Sequence, residues 1–241
     1  MEINILHLYY DLLNLYGDNG NIKALKKHLE EQNVKVNIEF LTLNDKIDFK
    51  KYDFVYIGSG TEKNQKLVIK HLLKYKKDIK EYIENNKFFL ATGNSIELFG
   101  KFIKTKDLTY KCLNIFNYES FEEDFRMVDQ AIFHMPLLDC KIIGFQNQGS
   151  TTKKIKDHLF EVNRGIGSYP NSEYEGIHYK NFLGTYLIGP ILVRNPNLVS
   201  YFVKELIKAK DNNYKFNKMD LYLETKAYNT FLDYLRTLED K

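Results

Sequence analysis

Asp53-Phe54-Val55-Tyr56-Ile57-Gly58-Ser59-Gly60 and Phe88-Phe89-Leu90-Ala91-Thr92-Gly93-Asn94-Ser95 decide the fold. Each is a short unbroken apolar run that stops at a glycine turn. A strand covered on both faces needs no polar alternation, so both read as central strands of a parallel sheet. Between them, Leu67, Leu72, Leu73, Ile79 and Ile83 predict one long amphipathic helix from Thr61 to about Asn85. Its Lys70, Lys74, Lys76, Lys77 and Lys80 face reads as solvated surface. Upstream, Ile3 to Tyr9 is β-rich and leads into the turn Tyr16-Gly17-Asp18-Asn19-Gly20-Asn21. Asn21 is the expected cap of a helix carrying Ile22, Leu25 and Leu29. Val34, Val36, Ile38 and Phe40 then alternate with polar residues, as in a half-buried strand. Such alternation of strands and helices predicts an α/β fold, a mostly parallel sheet with helices on both faces.

From Leu108 to about Gly149 the character changes. Short apolar runs (Leu113 to Phe116, Ala131 to Met135, Lys141 to Phe145) between polar breaks predict an antiparallel extension. Residues 150–176 are polar and include an expected hairpin, and Gly176 to Leu192 returns to a sheet pattern. Asn195 and Pro196 open a helix with Val199, Phe202, Leu206 and Ile207. Asp220 caps a last one with Tyr228, Phe231, Leu235 and Leu238. With no internal repeat, low-complexity stretch or linker, residues 1–241 are expected to form one domain.

Composition excludes several classes. With 35 Lys and Arg against 32 Asp and Glu, the net charge of +3 gives no basis for nucleic-acid binding or a charged membrane surface. No apolar stretch approaches the ~20 residues of a membrane helix. The two cysteines, Cys112 and Cys140, follow no signal peptide, so a disulfide-stapled secreted fold is not expected, and a cytoplasmic location is.

Motifs carrying chemistry are sparse. Gly93 to Lys101 superficially resembles a phosphate-binding loop, but six residues separate its glycines where four are required, and Phe102 replaces the magnesium-binding Ser or Thr. Gly58-Ser59-Gly60 lacks the third glycine of a dinucleotide fingerprint. Both turns nonetheless follow strands at the edge where open α/β sheets bind ligands, and their amides could face a carboxylate or oxyanion. The six histidines form no HxxxH or HxH pair and neither cysteine has a CxxC partner, so no metal site or cofactor is expected. His178 reads as a packed strand residue. Ser95 lacks the closing glycine of a nucleophile elbow and reads as a helix cap.

Four segments carry a family resemblance: Leu13 to Ile22, Ile57-Gly58-Ser59-Gly60 with Gln65, Gly144-Phe145-Gln146-Asn147, and above all Glu175 to Leu192. Over nearly its whole length the chain resembles the class I glutamine amidotransferases of the cobyric-acid-synthase type, with their flavodoxin-like fold. Its pattern is closest to the glutaminase subunit of lipid II isoglutaminyl synthase, which works with a Mur-ligase-like partner. The resemblance implies a cysteine at the turn after a central strand, a histidine on a later strand, backbone amides that hold the oxyanion, and ammonia passed to the partner. It also implies amidation of D-glutamate in the peptidoglycan stem peptide.

Both chemical residues are replaced. The nucleophile position is Gly93, the base position is Ile188, and a third family histidine corresponds to Gln148. Without a thiolate and a proton carrier this route to amide hydrolysis fails. Arg126 corresponds to the family's glutamine-holding arginine, Asp18 to an orienting aspartate, and Gly58, Gly60 and Asn94 to the pocket lining. For Asp18 a turn role is the alternative, and for Arg126 a surface one. The expected cleft is narrowed and partly greased by Ile188 and binds glutamine poorly, while a glutamine-like or other carboxylate-bearing ligand could still bind there without reaction. The expected function is a catalytically degenerate, non-catalytic partner or regulatory subunit of a Mur-ligase-type amidating enzyme. A ligand-sensing module and an amidotransferase of altered chemistry, with Ser95 or a partner's group in place of the thiol, are the alternatives.

Overall fold

The computed structural model describes residues 1–237. Strand β1 (Glu2–Leu8) leads to helix α1 (Asn19–Glu30) and strand β2 (Lys35–Leu41). Strand β3 (Phe54–Ile57), helices α2 (Glu62–Leu72) and α3 (Lys76–Glu84) and strand β4 (Phe88–Thr92) follow. A second group of strands comprises β5 (Phe102–Lys104), β6 (Thr109–Lys111), β7 (Glu119–Met135), β8 (Cys140–Lys153), β9 (Phe160–Arg164) and β10 (Tyr174–Glu175). The chain then returns through β11 (Ile177–Tyr179) and β12 (Phe182–Thr185) to helices α4 (Ile191–Arg194), α5 (Pro196–Lys210) and α6 (Tyr222–Thr237).

The first sheet has the order β11-β12-β4-β3-β1-β2, parallel except for β11. Its strands explain themselves by alternation. Leu6, Leu8, Val55, Ile57 and Phe89 pack with Val68, Leu72, Ile79 and Ile83 of α2 and α3. The intervening residues Ile3, Ile5, Phe54, Tyr56 and Phe88 pack with Ile22, Leu25 and Leu29 of α1 and with Phe202 and Val203 of α5. The second sheet has the order β10-β9-β7-β5-β6, with β8 paired along β7. The two sheets meet in one apolar cluster, where Ala131, Phe133 and Ile142 join Leu187 and Ile191. Helix α6 covers Ile132 and Ile143 with Leu232 and Leu235. Leu238, expected on its apolar face, lies outside the described residues.

Three local expectations are corrected. The helix expected from Thr61 to Asn85 breaks into a 3-10 turn at Leu73–Tyr75. There the Tyr75 ring turns onto Phe49 and its hydroxyl accepts from the Ile47 amide. Leu67 and Leu73 face solvent, while Val68, Ile69 and Tyr82 are buried. Asn21 lies inside α1 rather than at its cap: its Nδ2 donates to Tyr56 Oη at 2.7 Å and its Oδ1 accepts from the Leu192 amide at 2.8 Å. Ser95 caps nothing, since its hydroxyl donates to the carbonyls of Thr92 and Ile57. Asp220 stands two residues before the start of α6, where its carboxylate accepts from the Tyr222 amide, and the Leu221 carbonyl accepts from the Thr225 amide.

His7 of β1 is fully buried among the rings of Tyr10, Phe40 and Tyr56, with no hydrogen-bond partner on either ring nitrogen among the described residues. Burial pushes its pKa down to about 4 from 6.5, so it folds neutral. The unfolded chain therefore binds the extra proton, and this stability is complete above pH 6.5 and lost as pH falls through 4. Replacing His7→Phe should remove up to about 3 kcal/mol of acid sensitivity, read from urea unfolding at pH 7 and pH 4. Equal acid loss in both proteins would contradict it.

Candidate functional site

The carboxyl ends of β12, β4 and β3 lie side by side, and the turns that follow them build the site. After β4 the chain folds directly into a 3-10 turn, Gly93–Phe99, and Gly93 takes a left-handed φ of +62°. A β-carbon there would lie 3.0 Å from Ile188 Cγ2 and inside contact distance of the Ser59 side chain. Positions 93 and 188 are thus neighbours, although they come from distant parts of the chain. The Ile188 amide donates to the Phe145 carbonyl, which anchors this loop to the second sheet.

The glycines after β3 are there for close approach. A side chain at Gly58 would collide with the Leu13 carbonyl and with Asp18 Cβ at 2.8 Å, and one at Gly60 with the Leu12 carbonyl at 2.6 Å. Asp18 is buried beneath this loop and accepts from the Tyr16 amide (3.2 Å), Tyr56 Oη (3.0 Å) and Thr92 Oγ1 (3.3 Å). Burial raises its pKa, and these donors, with the Ser59 amide, partly oppose the rise. Turn chemistry therefore describes only one of its bonds. Asn94 reaches across to Gly60, accepting from its amide at 3.1 Å and donating to its carbonyl at 2.8 Å.

A cleft of about 290 Å³ opens above the elbow, with Tyr16, Gly60, Asn94, Glu97, Arg126 and Asn147 in its wall. Arg126 sits where β7 slips register against β8, between Glu122 and Met127. Its guanidinium donates to Glu62 Oε1 at 2.5 Å and to Asn147 Oδ1 at 3.1 Å. Burial alone would raise the Glu62 carboxyl, but its own backbone amide and Arg126 outweigh this and hold it below its ordinary value. Ile188 is buried and is not among the residues of the cleft wall, so the expected greasing by it is corrected: most of the residues there are polar. Gln148, at the third histidine position, accepts from Gln146 Nε2 and donates to the Gly167 carbonyl. A larger hollow of about 560 Å³ lies beside Asp48, Glu81 and Lys87, near the amino-terminal ends of β3 and β4. It is remote from the elbow, so size does not select the site.

Glu97 was not singled out by sequence reasoning. It is wholly buried at the cleft floor and accepts from Gln65 Nε2 at 3.0 Å and Tyr186 Oη at 3.1 Å. Tyr186 Oη is in turn bonded to Thr152, and Thr152 to Ser120. Desolvation pushes the Glu97 carboxyl up to about 7 despite its donors. The signal was a charge inside the apolar stretch Ile96 to Phe99.

Neither thiol is delivered here. Cys112 is buried beyond β6, its pKa pushed up to about 12 by burial, and Cys140 starts β8; neither lines the cleft. Ser95 is buried with its hydroxyl committed to carbonyls. Among the described residues no group of three or more His, Cys, Asp or Glu could hold a metal ion, and no helix is long and apolar enough to cross a membrane.

A parallel sheet with an elbow after a central strand, closed by a second sheet, defines the class I glutamine amidotransferase fold. PurLQS from Thermotoga maritima has it, with a TM-score of 0.56 at 12% identity over 89% of this chain and all of that one. So does a glutamine amidotransferase from the same organism, with a TM-score of 0.51 at 12% identity over 99% of this chain and 96% of that one. Residues 4–196 match the CobB/CobQ-like glutamine amidotransferase domain, and the chain belongs to that family. It is 33% identical over 233 residues, 96% of each chain, to the GatD subunit of lipid II isoglutaminyl synthase (glutamine-hydrolyzing) from Staphylococcus aureus strain N315. It is 32% identical to the corresponding subunit from Streptococcus pneumoniae strain ATCC BAA-255 / R6, over 87% of this chain and 82% of that one.

Proposed function

We propose that this chain is a GatD-like subunit without glutaminase chemistry, serving as a non-catalytic partner or regulatory subunit of a Mur-ligase-type amidating enzyme of peptidoglycan. Residues 1–241 act as one unit, in the cytoplasm. One observation carries the reading: a β-carbon at the left-handed elbow would lie 3.0 Å from the side chain of the facing position, yet these two positions hold Gly93 and Ile188. A glycine offers no nucleophile and an isoleucine accepts no proton. The likeness to GatD over 96% of both chains supports a retained partner surface.

Co-expression with a Mur-ligase-type chain should yield a stable complex whose amidation runs on ammonium and not on glutamine. Amidation equally fast with glutamine would overturn the silent role, and failure to co-purify would overturn the partner. A second reading, a sensing module for a carboxylate-bearing ligand, is supported by the polar cleft around Arg126 and Asn147. Calorimetric titration of the isolated chain with glutamine and glutamate distinguishes it, since a subunit that only docks gives no heat.

A further inference from the structure

We infer that Ser59 and Asn94 are locking residues that fill the thiol's place and bind the loop amide facing it. The inference rests on the silent-subunit reading and deepens it: the site is rebuilt rather than emptied. Loss of a cysteine by itself leaves a hole beside the elbow. Here the Ser59 side chain occupies it, inside contact distance of any β-carbon at position 93. Ser59 is 4% exposed and its hydroxyl donates to Asn94 Oδ1 at 3.3 Å, which holds it in place.

The amides tell the same story. Gly60 N–H is taken by Asn94 Oδ1, and the Ser59 amide is taken by Asp18. The two amides of the loop after β3 are therefore engaged within the chain rather than free to face a developing negative charge. Asn94 is itself positioned from below, because its backbone carbonyl accepts from Gln65 Nε2 at 2.6 Å. Glycine at 93 is thus demanded twice, by its left-handed φ and by Ser59. Restoring Gly93→Cys with Ile188→His would leave a thiol pressed into an occupied space.

A double-mutant cycle in the full chain tests the lock. Gly93→Ala, Ser59→Gly and their combination are compared by thermal unfolding. Ser59→Gly should recover about 2 °C or more of the midpoint lost in Gly93→Ala, beyond additivity. An additive cycle overturns the lock. As a second readout, Gly93→Cys is alkylated with iodoacetamide and followed by peptide mass spectrometry at position 93, with and without Ser59→Gly. Modification should be about tenfold faster when Ser59 is removed, because a thiol reacts only where it is accessible and ionised. Equal rates overturn the lock, and if Gly93→Cys does not fold, the alanine cycle decides. Neither readout involves glutamine or a partner. Glutamine turnover by the unmodified chain would sink the silent role and leave the cycle standing, whereas an additive cycle would do the reverse.

Discussion

Incubated with L-glutamine, the purified chain should release glutamate roughly 10⁶-fold more slowly than a thiol-bearing amidotransferase, the scale set by removing one member of a serine protease's triad. The expectation rests on geometry as well as residue identity. Gly93 stands at the elbow, and Ser95 has its hydroxyl tied to the Thr92 and Ile57 carbonyls. The Cys112 thiol, pushed up to about 12, is almost wholly protonated at neutral pH and sits outside the cleft. Since Ile188 cannot carry a proton either, two independent losses fall on one step, and the second adds little once the first has occurred. A glutaminase assay with and without a Mur-ligase-type partner checks this. Release at family rates in either arm would end the reading.

The second large effect is on stability. Glu97 and Glu175 are both wholly buried, and desolvation pushes each carboxyl up to about 7 from 4.5. They bracket Tyr186: Glu97 accepts from its hydroxyl and Glu175 from its amide. Between pH 4.5 and 7 the folded chain holds protons that the unfolded chain has released. Their contribution is therefore complete below 4.5 and lost as pH rises through 7. The ceiling is about 3 kcal/mol per carboxyl. Urea unfolding at pH 5 and pH 8 should show this fall, and Glu97→Gln with Glu175→Gln should abolish it. His7 titrates with the opposite sign, so the comparison keeps His7 in both proteins. An identical fall in the parent and the double variant would refute the assignment.

Much of this was legible beforehand, and the reasons are specific. Phe54 to Ile57 and Phe88 to Ala91 announced buried parallel strands because continuous apolar runs have few other uses at that length. The resemblance pointed to Gly93 and Ile188, and the structure places the two side by side. The break at Leu73 was hidden, since nothing in Leu72-Leu73-Lys74-Tyr75 breaks a helix. It follows from where the Tyr75 ring finds Phe49, a tertiary effect. Asn21 misled for a related reason: its side chain suits a cap equally well, but Tyr56 and Leu192 claim it. Ser59 had no signature, because its meaning depends on what is absent at position 93.

The path of the chain between Gly93 and Ile188 has a kinetic consequence. The whole second sheet, β5 to β10, is inserted between β4 and β12, which pair directly. Closing so long a loop is entropically costly, and contacts of such sequence separation form late. The pairing that sets up the elbow is therefore expected to form after the β7–β8 hairpin, whose own strands are joined by a short turn. Slowing that hairpin should delay the burial of Ile188 more than that of Ile5 in β1, a difference that pulsed hydrogen exchange during refolding would resolve.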